Sequence, residues 1–136
     1  MEFLIGVILA VAVGLFATFT GLDRDKAFYP TVMIVIALYY ALFAVIGGSA
    51  QALLVELLVI LVFVGASVAG FKYSLWLVVA ALAAHGVYDL APDSMFVTPG
   101  VPPWWPYFCL AYDCVAAGYL AWRLLASREA SLQGPR

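Results

Sequence analysis

Five apolar runs, each about as long as one bilayer crossing, occupy most of this chain. A transmembrane helix needs about 20 mainly apolar residues. Hydrophobic residues fill 67% of the 136 positions, whereas a soluble domain has roughly 45–50%. The sequence therefore predicts an all-α, polytopic transmembrane helix bundle. The predicted spans cover residues 2–20, 28–47, 49–70, 72–90 and 104–125.

The number of spans depends on residues 49–90, which form one apolar stretch about twice the length of a single crossing. The segment GFKYS at 70–74 places a glycine, a lysine and an interfacial tyrosine near the middle of this stretch. The sequence therefore favours five spans, and four spans are the alternative. The first run begins with the acidic MEF and lacks an A-x-A-like cleavage site, which indicates a retained helix rather than a secretory signal.

The basic residues indicate the orientation, because cytoplasmic loops of membrane proteins carry an excess of lysine and arginine. With five spans, every basic residue falls on the same side: Arg24, Lys26, Lys72, Arg123, Arg128 and Arg136. We therefore expect an outside N-terminus and a cytoplasmic C-terminus. Residues 1–128 would form one transmembrane domain with an outer lid loop at 91–103, and residues 129–136 a short cytoplasmic tail. Trp104 and Trp105 are predicted to anchor the outer end of the last span.

Charge and cysteine content exclude some functions. The net charge is −2, and no basic patch is present to neutralise nucleic-acid phosphates. Cys109 and Cys114 are five residues apart on one predicted helix, where they face different directions, so no disulfide between them is expected. The sequence indicates no cofactor, and its expected environment is the lipid bilayer.

The informative residues are ionisable groups inside the predicted spans, because such groups are costly at membrane depth and often functional. At about 1.5 Å per residue, Glu56 lies roughly 10 Å below the outer boundary, His85 roughly 8 Å and Asp113 roughly 13 Å. These residues come from three different spans but fall in one layer.

Spacing along the helices adds further members to this layer. His85 and Asp89 are four residues apart and share a helix face, as do Cys109 and Asp113. We therefore predict an outward-facing pocket for a small ligand, ion or proton, covered by the 91–103 loop. The pocket residues are Glu56, His85, Tyr88, Asp89, Cys109, Tyr112 and Asp113.

Several kinds of chemistry fit this pocket. A histidine with carboxylates can relay protons or bind a small ligand. A metal held by His85, Asp89, Asp113 and Glu56 is a weaker alternative, because no H-x-x-x-H, E-x-x-H or C-x-x-C spacing is present. An intramembrane enzyme using acid–base chemistry on a lipid-like substrate is another alternative. A structural or accessory subunit, acting as a homo-oligomer or with a membrane partner, is the third.

Other features have simpler interpretations. Asp23 and Asp25 alternate with Arg24 and Lys26, which predicts a turn whose charges are neutralised locally. Tyr39 and Tyr40 are hydroxyls at membrane depth, assigned here to packing. Small residues four apart predict close helix contacts, and they occur at Gly6, Ala10 and Gly14, at Ala66 and Gly70, at Ala80 and Ala84, and at Ala117 and Ala121.

Three segments carry a resemblance to known proteins: DRDKAFYPTVMIVIALYYALFAV, HGVYD and PGVPPWWPYFCLAYD. They resemble a group of small bacterial integral membrane proteins of unknown function. The resemblance covers most of the chain and implies a bacterial inner-membrane location. It implies no activity.

Overall fold

The fold was obtained as a computed structural model, which describes residues 1–90 and 99–132. The described residues form five α-helices and no strand, so the predicted all-α fold is confirmed. A short 3-10 turn, Leu22–Arg24, follows the first helix. The helices are α1 Glu2–Thr20, α2 Phe28–Ile46, α3 Ala50–Lys72, α4 Trp76–Tyr88 and α5 Trp105–Leu132.

Four of these helices, α1, α2, α3 and α5, are long and apolar enough to cross a membrane. The remaining helix, α4, has 13 residues and is about 20 Å long, which is shorter than the hydrocarbon core of about 30 Å. The helix α4, Trp76–Tyr88, therefore begins later and ends earlier than the predicted span 72–90. At its start, Lys72 and Tyr73 end α3, and the Ser74 hydroxyl accepts a hydrogen bond from the Trp76 amide.

Successive helices run in opposite directions between two ends of the bundle. At one end, Gly47 after α2 packs against Pro99 before α5. At the other end, Asp23 after α1 pairs with Arg123 late in α5. We call these the Gly47 end and the Asp23 end. The shorter α4 returns the chain from the Asp23 end to the Gly47 end, so the chain passes along the bundle five times.

The lysines and arginines among the described residues collect at one end. The connection after α1, the end of α3 and the last part of α5 all lie at the Asp23 end. The basic residues in these segments are Arg24, Lys26, Lys72, Arg123 and Arg128.

Glycines shape the connections where the backbone must take a positive φ. Gly21 ends α1 with φ 81°, and its amide donates to the Thr18 carbonyl. Gly100 has φ 95°, and a Cβ there would lie 2.4 Å from the Phe43 carbonyl oxygen. Residues other than glycine rarely adopt such backbone angles. This part of the predicted lid therefore packs directly on the end of α2, while residues 91–98 lie outside the described part of the chain.

The small-residue pattern of α1 forms the predicted close contact. Gly6, Ala10 and Gly14 are buried where α1 packs in parallel against α5. The corresponding prediction for α4 is wrong, because Ala80 and Ala84 are exposed and the neighbouring Ala81 faces the core. Alanine is abundant on both faces of this helix, so its spacing does not identify the packed face.

The two tryptophans at the start of α5 differ in exposure. Trp104 is 46% exposed, whereas Trp105 is only 9% exposed and packs against Phe43 with ring centroids 4.8 Å apart. Trp105 therefore does not present its ring at the surface, as an interfacial anchor would. The helix extends beyond the predicted span, which ends at 125, to Leu132, while residues 133–136 lie outside the described part of the chain.

Asp23 is likewise not neutralised within its own turn. Its side chain is 1% exposed and lies 3.1 Å from the Nε of Arg123. The Thr18 hydroxyl donates to Asp23 at 2.6 Å and lies 2.7 Å from the Tyr119 hydroxyl. This polar cluster ties the end of α1 to α5, whereas Asp25 remains exposed.

Candidate functional site

The centre of the candidate site is a buried hydrogen bond between α4 and α5. The Nδ1 atom of His85 lies 2.7 Å from Oδ2 of Asp113. Gly86 allows the two helices to approach at this level, because a Cβ at this position would lie 3.3 Å from Cβ of Asp113. The close approach of α4 to α5 thus brings together the only histidine of the chain and a carboxylate.

A second carboxylate reaches the same histidine from its own helix. Asp89 lies one turn after His85, and its Oδ2 atom is 3.5 Å from Nδ1 of His85. The other oxygen of Asp89 accepts a hydrogen bond of 2.5 Å from the hydroxyl of Tyr40, on α2. Three helices, α2, α4 and α5, therefore contribute to one polar cluster, which we call the His85 cluster: His85, Asp89, Asp113 and Tyr40.

The His85 cluster is enclosed within the bundle. His85 is 1% exposed and Asp113 is 0% exposed. The ring of Phe63, on α3, lies 4.9 Å from the imidazole ring, and the ring of Tyr40 lies 6.0 Å from it. The sequence predicts an outward-facing pocket here; in the described part of the chain, aromatic rings from α2 and α3 pack against the histidine.

Two carboxylate oxygens in the cluster have no hydrogen-bond partner among the described residues. They are Oδ2 of Asp89 and Oδ1 of Asp113, both shielded from solvent. A buried acceptor without a partner costs about 1–3 kcal/mol, and more when it is charged. The cluster thus has the capacity to accept more protons, or a cation, than its internal hydrogen bonds use.

Glu56 and Tyr88 form a neighbouring polar pair rather than part of this cluster. The hydroxyl of Tyr88 donates to Oε2 of Glu56 at 3.1 Å, which links α4 to α3. The ring of Tyr88 lies 5.8 Å from that of Tyr40 and 6.1 Å from the imidazole of His85. The three predicted helices therefore meet, and Tyr88 links Glu56 to the surroundings of the histidine.

The remaining predicted residues lie on α5 at the edge of the cluster. Cys109 is 3% exposed and interacts electrostatically with Asp89 and Asp113. Tyr112 stacks on Phe108 with a centroid distance of 6.4 Å and lines a cleft between α1, α2 and α5. Cys109 borders both the cluster and this cleft, whereas the ring of Tyr112 belongs to the cleft.

Tyr40 is a site residue that the sequence analysis assigned to packing. It lies seven residues before Gly47, which corresponds to roughly 10 Å below the end of its helix. That depth matches the layer of Glu56 and His85. Depth could therefore have indicated that one of the two adjacent tyrosines belongs to the site. Nothing in the sequence distinguishes Tyr40 from Tyr39, which packs against Trp105 instead.

The cluster also contains groups that could hold a metal ion. Ligand atoms from His85, Asp89 and Asp113 lie within 4.8 Å of one another. Glu56, the fourth residue of the metal alternative, is not in this group. The 2.7 Å distance from His85 to Asp113 is that of a hydrogen bond. Tetrahedral ligands about 2.1 Å from a metal would lie roughly 3.4 Å apart, so this pair would have to separate to bind one.

Comparison of the chain with family models, with curated proteins and with solved structures finds no match.

Proposed function

We propose that this protein is a membrane proton carrier in which the His85–Asp113 pair binds and releases the transported proton. The observation that carries the proposal is the buried 2.7 Å hydrogen bond between these two side chains. Histidine is the side chain most suited to exchanging protons near neutral pH. Ionisable residues buried at membrane depth are often parts of proton relays.

The charge of the cluster supports proton binding. With both aspartates ionised and His85 neutral, the cluster carries two negative charges in a buried environment. Each added proton removes one charge, so the cluster becomes neutral only when its three ionisable groups share two protons. Since an uncompensated buried charge is costly, Oδ1 of Asp113, which has no hydrogen-bond partner among the described residues, is a suitable acceptor for the second proton.

Two pairs of a hydroxyl and a carboxylate lie at the depth of the cluster. Tyr40 donates to Asp89, and Tyr88 donates to Glu56. Hydroxyls and carboxylates both donate and accept protons, which suits them to a relay. We propose that the His85–Asp113 pair exchanges protons through Asp89 and Tyr40.

The proposed location is the inner membrane of a bacterium, with the N-terminus outside and the C-terminus in the cytoplasm. Collection of the described basic residues at the Asp23 end supports this orientation under the positive-inside rule. In a variant in which Cys109 and Cys114 are replaced, Ser127→Cys is expected to resist impermeant thiol reagents added to whole cells. Labelling at this position would contradict the proposed orientation.

Proton flux into vesicles tests the function. Vesicles containing the protein and an internal pH dye are given a potassium gradient and valinomycin, which drives proton uptake. We expect Asp113→Asn to slow uptake by about tenfold or more, because a positioned proton-transfer group commonly contributes about 10²-fold or more to a rate. Asp25→Asn, the same change at an exposed position, should keep the wild-type rate.

Two results would contradict the proposal. The first is a wild-type rate no faster than that of protein-free vesicles. The second is wild-type flux in Asp113→Asn that elutes as a single species in detergent. Metal analysis of the same purified protein tests the alternative of a metal site. A stoichiometric divalent ion that is lost in Asp113→Asn would favour a metal site over a proton carrier.

A further inference from the structure

A cleft of about 590 Å³ lies between α1, α2 and α5. Leu9 and Val13 of α1 form one wall, and Val32, Val35 and Ile36 of α2 form the other. The aromatic rings of Trp105 and Phe108 form part of the floor.

The cleft exists because its two walls pack on different partners. The small residues Gly6 and Gly14 hold α1 tightly against α5, whereas α2 packs mainly against α3. The connection at residues 21–27 separates the start of α2 from the end of α1. The gap between these two apolar helices therefore opens to the side, where lipid surrounds a membrane protein.

The dimensions of the cleft identify what can occupy it. It follows α2 from Ala27 to Tyr39, a length of about 18 Å. A single hydrocarbon chain is thin and apolar, which matches the narrow apolar lining of a cleft of this length.

Polarity along the cleft identifies the direction of that chain. The wall residues Leu9, Val13, Val32, Val35 and Ile36 are apolar. The Thr31 hydroxyl donates a hydrogen bond to the carbonyl of Ala27. A carboxylate, that of Asp25, lines the cleft at the Asp23 end, where Arg24 and Lys26 are exposed on either side of it. Cations at a membrane surface attract lipid phosphates, so the polar head belongs at this end.

We propose that this cleft binds one acyl chain of a phospholipid, with the phosphate beside Arg24 and Lys26. The length of about 18 Å is slightly more than half of a hydrocarbon core of about 30 Å, which fits a chain from one leaflet. The inference does not depend on proton transport, although Cys109 lines the cleft on one face and meets Asp89 on the other.

Photo-crosslinking tests the acyl-chain site. The full chain is placed in vesicles containing phosphatidylglycerol with a diazirine in its acyl chain, irradiated, and mapped by mass spectrometry. We expect adducts on the cleft walls, and we expect Val35→Trp to reduce them to the level of the outer face of α3. The matched control is Val62→Trp on α3: Val35 and Val62 are 48% and 68% exposed, so both variants should fold. Equal labelling of the cleft in the two variants would overturn the site.

A second comparison tests the head group. The double variant Arg24→Gln, Lys26→Gln should lower the preference for the phosphatidylglycerol probe over a diazirine diacylglycerol, by roughly fivefold for each cation removed. An unchanged preference would overturn the phosphate assignment. Neither experiment measures proton flux, so a failure here is distinguishable from a failure of the proposed function.

Discussion

Asp113→Ala is expected to lower the free energy of unfolding by about 3 kcal/mol, because removing one partner of a buried pair leaves the other without compensation. His85 would keep its enclosure by Phe63 and Tyr40 but lose its 2.7 Å hydrogen bond. The measurement is reversible unfolding in mixed micelles of increasing denaturing detergent, with helicity as the signal. A loss within about 0.5 kcal/mol, the usual size for a surface change, would show that the pair contributes little.

A double-mutant cycle separates the pair from the general cost of truncation. Combining Asp113→Ala with His85→Ala should give a coupling energy of about 2 kcal/mol, since residues within one hydrogen-bonded network are non-additive by about 0.5–3 kcal/mol. Combining Asp25→Ala with His85→Ala should be additive, because Asp25 lies at the opposite end of the bundle. Additivity in both cycles would mean that His85 and Asp113 do not interact in the folded protein.

The second large effect is expected at Gly6, where α1 approaches α5 most closely. A Cβ at this position would lie 2.4 Å from the carbonyl oxygen of Phe108 and 3.0 Å from Cβ of Ala111. Because the nearest obstacle is backbone, it cannot move aside by a change of rotamer. We expect Gly6→Ala to destabilise the protein by about 3 kcal/mol, at the upper end of the usual cost of overpacking.

Gly65 provides the matched control for this substitution. It is also a helical glycine, but a Cβ there meets nothing within 4 Å. Alanine favours a helix more than glycine by up to about 1 kcal/mol, so Gly65→Ala should be neutral or stabilising in the same unfolding measurement. Equal losses at Gly6 and Gly65 would show that the contact between α1 and α5 does not limit stability.

The sequence predicts the layers of this protein better than the faces of its helices. The lengths of the apolar segments predict an all-α bundle. The number of residues from the end of each segment predicts that Glu56, His85 and Asp113 lie at a similar depth. Spacing within one helix also relates His85 correctly to Asp89. These inferences succeed because they depend only on the fixed rise and rotation of an α-helix.

Inferences about neighbouring helices succeed less often. In water, the apolar face of a helix identifies its core side, but a membrane helix is apolar on its lipid side too. The sequence therefore does not distinguish Tyr40 from Tyr39, or Ala81 from Ala80. It also assigns Trp105 to the interface. The direction in which each of these side chains points is fixed by packing between helices.

The pairing of Asp23 with Arg123 illustrates a further limit. The two residues are 100 positions apart, and nearer cations, Arg24 and Lys26, are available in the sequence. Asp23 meets Arg123 because α1 packs in parallel on α5, which brings the ends of both helices together. Local charge balance cannot predict a contact that depends on how helices pair.

Nitrogen NMR of the single histidine measures the protonation of the His85–Asp113 pair. Because His85 is the only histidine in the chain, ¹⁵N-histidine labelling reports on this side chain alone. We expect a protonated Nδ1 in a strong hydrogen bond, with a signal that shifts in Asp113→Asn and stays unchanged in Asp25→Asn. An Nδ1 without a proton, or an imidazole that titrates as it does in free solution and ignores Asp113→Asn, would contradict a proton-binding His85–Asp113 pair.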